Sequence, residues 1–80
     1  YEADIQILAY DHAGLFAEIS LMFASQDVPV TAVTAHTVKN KQGLCTMSIT
    51  IVIKTTQQLE KLIKDLQKRP DIIEVFRVAR

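Results

Sequence analysis

Residues 3–9, Ala-Asp-Ile-Gln-Ile-Leu-Ala, set Ala3, Ile5, Ile7 and Ala9 on one side and Asp4, Gln6 and Leu8 on the other. That two-residue period predicts a half-buried strand. From Leu15 the spacing changes to Leu15, Ile19, Met22 and Phe23, the stripe of an amphipathic helix. Asp11 is expected to cap this helix by accepting the amide of Gly14. Asp27-Val28-Pro29 is expected to end it, because proline disfavours helical backbone in the residue before it.

Residues 30–39 are rich in Val and Thr and predict a second strand, followed by the turn Asn40-Lys41-Gln42-Gly43. Residues 44–53 alternate most regularly. Cys45, Met47, Ile49, Ile51 and Ile53 point one way, and Thr46, Ser48 and Thr50 the other. These two strands and their short turn predict a hairpin. Thr55 and Gln58 then stand at capping-box spacing ahead of the stripe Leu59, Leu62, Ile63 and Leu66. Lys64, Lys68 and Arg69 suit a helix C-terminus, and Pro70 stops the helix. Residues 72–78, Ile-Ile-Glu-Val-Phe-Arg-Val, predict a last strand.

The resulting order, βαββαβ, predicts an α+β fold of ferredoxin-like type. Its four-stranded antiparallel sheet has two helices on one face and strands one and three in the centre. Eighty residues suit a single domain, residues 1–80. A domain so short buries a modest share of its surface, so a second copy or a larger parent chain would stabilise it.

Composition narrows the function. Nine Lys+Arg balance nine Asp+Glu, which removes the long-range field that draws proteins to nucleic acid or anionic membranes. The single cysteine, Cys45, has no partner for a disulfide or a C-x-x-C site. No apolar run approaches the roughly 20 residues of a membrane span, and no signal peptide opens the chain. These features predict a cytoplasmic domain, and the start in mid-pattern at Tyr1, without methionine, predicts one excised from a longer protein.

No catalytic constellation is expected. His12 and His36 fall in a loop and on an edge strand, without a carboxylate or cysteine at triad or metal-ligand spacing. They read as surface histidines, and Cys45 as a buried structural thiol. The acidic residues are scattered, with no pair placed for acid–base work. No metal or cofactor site is expected in this domain. RNA-recognition motifs share this strand order but stack bases on aromatics of the two central strands. Here those positions hold Asp4, Gln6, Leu8, Thr46, Ser48 and Thr50, which offer no aromatic platform.

Two features remain as candidate sites. The second strand offers Val33, Ala35 and Thr37 with little to discourage pairing, and such an edge is usually paired or covered. It is the expected dimer edge. The turn Asp11-His12-Ala13-Gly14 precedes a helix N-terminus that suits an anion, while Asp11 suits an ammonium group. A plain turn and a small-ligand notch both stay open.

The segment "DHAGLFAEIS" resembles the D-x-x-G-L-[LF]-x-x-[IV] pattern that opens the first helix of ACT domains. The likeness continues through the hairpin into "LEKLIKDLQKRPDIIEVFRVAR". There it resembles the C-terminal ACT domain of RelA/SpoT-type guanosine tetra- and pentaphosphate synthetase–hydrolases. The resemblance implies a regulatory module that pairs through sheet edges and holds a small ligand, often an amino acid, where the first turn faces a partner. It implies contacts at Asp11, Gly14 and Leu15, with Val30 across the seam. It also implies a homodimer and contacts with other domains of the parent. The parent would transfer pyrophosphate from ATP to GTP or GDP, or hydrolyse the product, using magnesium or manganese. Its ribosome or rRNA contacts would relay amino-acid starvation. An amino-acid-sensing ACT domain of a biosynthetic enzyme is the alternative. Amino-acid-binding members often carry Gly-x-Asn-Ile at the entry to the second strand. Here Asp27-Val28-Pro29-Val30 replaces the asparagine with a residue that has no side-chain donor.

Overall fold

A computed structural model describes residues 1–38 and 43–78. Six elements follow in the order β1 (Glu2–Tyr10), α1 (Leu15–Ser25), β2 (Val30–Thr37), β3 (Leu44–Val52), α2 (Thr56–Gln67) and β4 (Ile72–Val78). The strands form one antiparallel sheet in the order β2-β3-β1-β4. The two most regular alternating runs therefore occupy its centre. Of the expected turn, Asn40, Lys41 and Gln42 lie outside the described residues, as do Lys39 and the last two residues of the chain.

Register explains the core. Ile5 stands opposite Ile49, Ile7 opposite Met47 and Ala3 opposite Ile51, so the apolar halves of β1 and β3 form one continuous floor. Leu15, Ile19 and Phe23 of α1 and Leu59, Leu62 and Leu66 of α2 join the same buried cluster. Met22 and Ile63, on the expected stripes, pack at its margin. Among the described residues no polar side chain is buried. Each fully buried Leu, Ile or Phe contributes about 1.5–3 kcal/mol, so this floor is the principal source of stability.

β4 departs from simple alternation. Ala9 pairs with Ile72 but Leu8 pairs with Glu74, so one extra residue, Ile73, is inserted into β4. The bulge leaves Ile72 and Val75 buried and Ile73 exposed.

The helix ends correct one expectation and refine two. Asp11 does not cap α1. The residue at the N-cap is Gly14, with left-handed backbone (φ 86°) and no side-chain cap hydrogen bond. The amide of Leu15 instead donates to the carbonyl of His12 at 3.2 Å, so a tight turn over residues 12–15 sets the helix start. At the other end, the amide of Val28 donates to Phe23 at 2.9 Å and that of Asp27 to Ala24 at 3.2 Å. Asp27 adopts φ 56° there, the left-handed position that helix ends usually give to glycine. For α2 the capping-box residues are the ones expected. Gln58 donates its amide to Thr55 Oγ1 at 3.1 Å, while its side-chain Oε1 accepts from the amide of Lys54 at 2.7 Å. The return bond thus reaches one residue further upstream than a capping box does.

Candidate functional site

The turn after β1 is pinned from two sides. The amide of Tyr10 donates to the carbonyl of Asp71 at 2.9 Å, and the amide of Asp11 to that of Gly43 at 2.7 Å. Gly14 closes the turn, and its left-handed backbone is one that side chains rarely tolerate. A Cβ built there would meet nothing within 4 Å. The demand for glycine is therefore conformational, and the space above it is open.

That open space is the end of a groove of about 450 Å³ between α1 and β2. Asp11, His12 and Gly14 form its rim, Leu15, Phe16 and Ala17 its α1 wall, and Ala35, His36 and Thr37 its β2 wall. Cys45 and Met47 of β3 form its floor. Desolvation, with the charge of Asp11 adding to it, pushes the Cys45 thiol above its usual range, which keeps it protonated.

The groove unites most of the residues singled out from the sequence. Asp11, Gly14 and Leu15 line it, and so do Ala35 and Thr37 of the expected dimer edge. Val33 lies further along β2 and packs against the core. Val30 starts β2, opposite Ile51, at the end away from the groove. His12 and His36 both border the groove, although His36, opposite Thr46, turns its side chain to the other face of the sheet. The second half of β2 returns alongside β3, whose first residues lie beneath the start of α1, and sequence spacing does not show that return.

A charge cluster behind the turn also departs from the sequence reading. Arg69 grips Asp71 through Nε to Oδ1 at 3.0 Å and Nη2 to Oδ2 at 2.8 Å. His12 Nε2 lies 2.8 Å from Asp71 Oδ2. Arg69 Nη2 also reaches Glu18 Oε2 at 3.4 Å. Asp71, far from scattered, is half-buried. The guanidinium of Arg69 and the His12 bond hold its carboxyl down at about 2. His12, Glu18 and Asp71 place one ligand atom each within 4.8 Å of one another, a spacing that a cation can bridge. Arg69 already supplies positive charge to both carboxylates. The sequence signal was the pair Arg69 and Asp71 flanking Pro70, which marks a corner where two side chains can meet.

The outer faces of the two helices are unequally dressed. On α1, Phe16 is 50% and Leu21 69% exposed, whereas α2 turns Glu60, Lys61 and Lys64 to solvent. The opposite face of the sheet carries shallow hollows around Gln6, bounded by Asp4, Ser48 and Thr50 on one side and by Leu8, Thr46 and Phe76 on the other. Among the described residues no helix is long and apolar enough to cross a membrane.

Comparison with known proteins gives this geometry a family. The ACT domain model matches residues 1–77. The chain is 31% identical over 78 residues to the GTP pyrophosphokinase of Escherichia coli K12, and 30% identical to that of Haemophilus influenzae. Each alignment covers 98% of this chain and 10% of the relative, so the chain spans about a tenth of those proteins. Among solved structures, the ACT domain from the GTP pyrophosphokinase of Chlorobium tepidum superposes with a TM-score of 0.80 at 24% identity. That match covers 98% of this chain and 97% of the other. The acetolactate synthase small subunit of Thermotoga maritima superposes at 0.84 with 16% identity, covering 99% of this chain and 48% of the other. With a matching family model over nearly its whole length and the same sheet order and helix layer, the chain belongs to the ACT domain family.

Proposed function

We propose that this chain is the regulatory module of a GTP pyrophosphokinase and acts by docking, with no catalysis of its own. The observation that carries the reading is the alignment over 98% of the chain to a tenth of GTP pyrophosphokinases. A module of that size is an attachment to catalytic domains elsewhere in the parent. In this reading the parent is a cytoplasmic enzyme that makes, and in a bifunctional form hydrolyses, guanosine tetra- and pentaphosphate. Magnesium or manganese serves its catalytic domains. The module relays amino-acid starvation, sensed through ribosome or rRNA contact, by changing what packs against the groove and the exposed β2.

Docking is favoured by the apolar groove and the apolar outer face of α1, which lie side by side and invite a macromolecular surface. A homodimer through Ala35 and Thr37 belongs to the same reading. The alternative, a small-amino-acid sensor, is favoured by one observation. Asp11 makes no cap to α1, which leaves its carboxylate at the groove rim for an ammonium group.

The test is Ala17→Trp in the intact parent. Ala17 is an exposed helical position on the groove wall, so the indole fills the groove without the backbone strain that any substitution of Gly14 brings. The starvation-dependent change in pyrophosphate transfer should be lost or reversed, and the catalytic domains assayed alone should be unaffected. Unaltered regulation in a folded variant overturns the proposal.

A further inference from the structure

His12 presents both ring nitrogens to acceptors. Nε2 lies 2.8 Å from Asp71 Oδ2, and Nδ1 lies 3.0 Å from the carbonyl oxygen of Ala13. A neutral imidazole has one N–H and can serve only one of them, whereas the imidazolium serves both. The surrounding charges make the same choice. With His12 protonated, the charges of His12, Arg69, Asp71 and Glu18 cancel; with His12 neutral, one negative charge is in excess. Arg69 opposes the proton, but its guanidinium is engaged with Asp71 at 2.8 Å and Glu18 at 3.4 Å.

We propose that this cluster is a proton-dependent clamp, in which protonated His12 ties the turn 11–14 to the Arg69–Asp71 corner and so sets the rim of the groove. One acceptor lies outside the turn and the other within it. Asp71 belongs to the corner between α2 and β4, and Ala13 directly precedes Gly14. Deprotonation leaves a ring lone pair facing an oxygen, and the turn relieves that contact by moving. Asp11, His12 and Gly14 are the rim residues that move with it. The hydrogen bond to Asp71 raises the pKa of His12 above its ordinary value of 6.5, with the Ala13 carbonyl adding to it. The other titratable groups facing the groove are Asp11 and the Cys45 thiol on β3, which stays neutral; His36, opposite Thr46, turns its side chain to the other face of the sheet. The clamp does not depend on what occupies the groove.

The experiment is an NMR pH titration of this chain in a His36→Gln background, so that one histidine titrates. His12 should titrate with a midpoint above 6.5, and the amides of Ala35 and Phe16 across the groove should shift with that midpoint. Hydrogen-exchange protection of the Leu15 amide, corrected for intrinsic rate, should fall about threefold or more as His12 deprotonates. Asp71→Asn should lower the His12 midpoint, and the milder Glu18→Gln should lower it less. His12→Gln should abolish the amide transitions. If Ala35, Phe16 and the Leu15 protection ignore the His12 titration, the clamp is wrong. A midpoint unmoved by both carboxylate variants also overturns it.

Discussion

Ala35 stands directly opposite Met47 in the β2–β3 register, yet Met47 is 2% exposed and Ala35 lies open to solvent. Both face the helix side of the sheet. The helix layer therefore stops short of the edge strand. Thr37 repeats the relationship with Cys45, which is 6% exposed. An edge strand whose inner face is uncovered leaves both its apolar side and its free main-chain groups unsatisfied.

Self-association should follow from that overhang. A second β2 would extend the sheet by main-chain hydrogen bonds and cover the exposed side of α1 as well. Lysine at both Ala35 and Thr37 should yield a folded monomer, because neither position contributes to the core. Val33 is a poorer choice, since it packs against the buried cluster and a charge there would unfold the protein as well as part it. Sedimentation of the wild type as a monomer at high micromolar concentration would reject the prediction.

The two helix starts should respond differently to loss of their first polar residue. Thr55 Oγ1 accepts the amide of Gln58 at 3.1 Å, so Thr55→Ala should destabilise the fold by about 1 kcal/mol. Asp11→Ala should change stability by less than about 0.5 kcal/mol, as for an ordinary surface position, because α1 draws no cap from a side chain. Urea unfolding of both variants against wild type makes the comparison. A larger loss for Asp11→Ala would mean that the carboxylate holds the turn in another way.

Asp27 gives a stabilising prediction. Its φ of 56° places a side chain where left-handed backbone costs about 1–2 kcal/mol for most residues, and less for Asp. Glycine removes that strain but adds about 0.5–1 kcal/mol of backbone entropy cost. Asp27→Gly should therefore raise stability by on the order of 0.5 kcal/mol, seen as a higher denaturant midpoint at unchanged slope. A lower midpoint would show that the aspartate side chain supports the helix end.

The sheet was legible because its order rests on local period. Ala3 to Ala9 and Cys45 to Ile53 repeat every two residues, and each fell in the centre. Leu59 to Leu66 likewise declared the buried stripe of α2. The start of α1 was not legible, since an aspartate four residues before Leu15 looks like a cap unless the αL bend at Gly14 is known. The charge cluster was hidden for another reason. His12 and Asp71 are 59 positions apart, and only the antiparallel return of β4 beside β1 brings them together. The groove was half visible. Its turn and its edge strand were each singled out, but their meeting over Cys45 and Met47 is a product of the hairpin.

The same corner predicts a pH dependence with two limbs of opposite sign. Asp71 titrates at about 2 in the folded chain, against about 3.9 for an unfolded aspartate. Its contribution is present above about pH 4 and is lost as pH falls toward 2. His12 is raised above 6.5, so its contribution is complete below that value and fades as pH climbs through the folded pKa. The corner should therefore stabilise most between about pH 4 and 6.5. Asp71→Asn should cost about 1–2 kcal/mol in that window through its weakened charge-assisted bonds. It should also flatten both limbs in urea unfolding measured across pH. A variant that keeps the wild-type profile would assign the limbs to other groups.

The last prediction concerns the rim of the groove and separates docking from sensing. An amino acid bound there needs acceptors for its ammonium group and donors for its carboxylate. Asp11 meets the first need. For the second, the first amides of α1 stand alone, because the approach to β2 has Pro29, which offers neither a side-chain donor nor an amide. Val30 is also badly placed to help within one copy. It begins β2 five residues before Ala35, about 17 Å away along an extended strand, so a ligand in the groove does not touch the Val30 of its own chain. Valine, leucine, isoleucine and serine added to the isolated chain should therefore produce no saturable NMR shifts at sub-millimolar concentration. Saturable shifts at Asp11, Gly14 and Leu15 would establish an amino-acid sensor and remove the docking proposal. Val30 then reports the geometry. Its amide shifting together with the groove would mean that a second copy delivers Val30 to the ligand, whereas a silent Val30 would mean that one chain binds it alone.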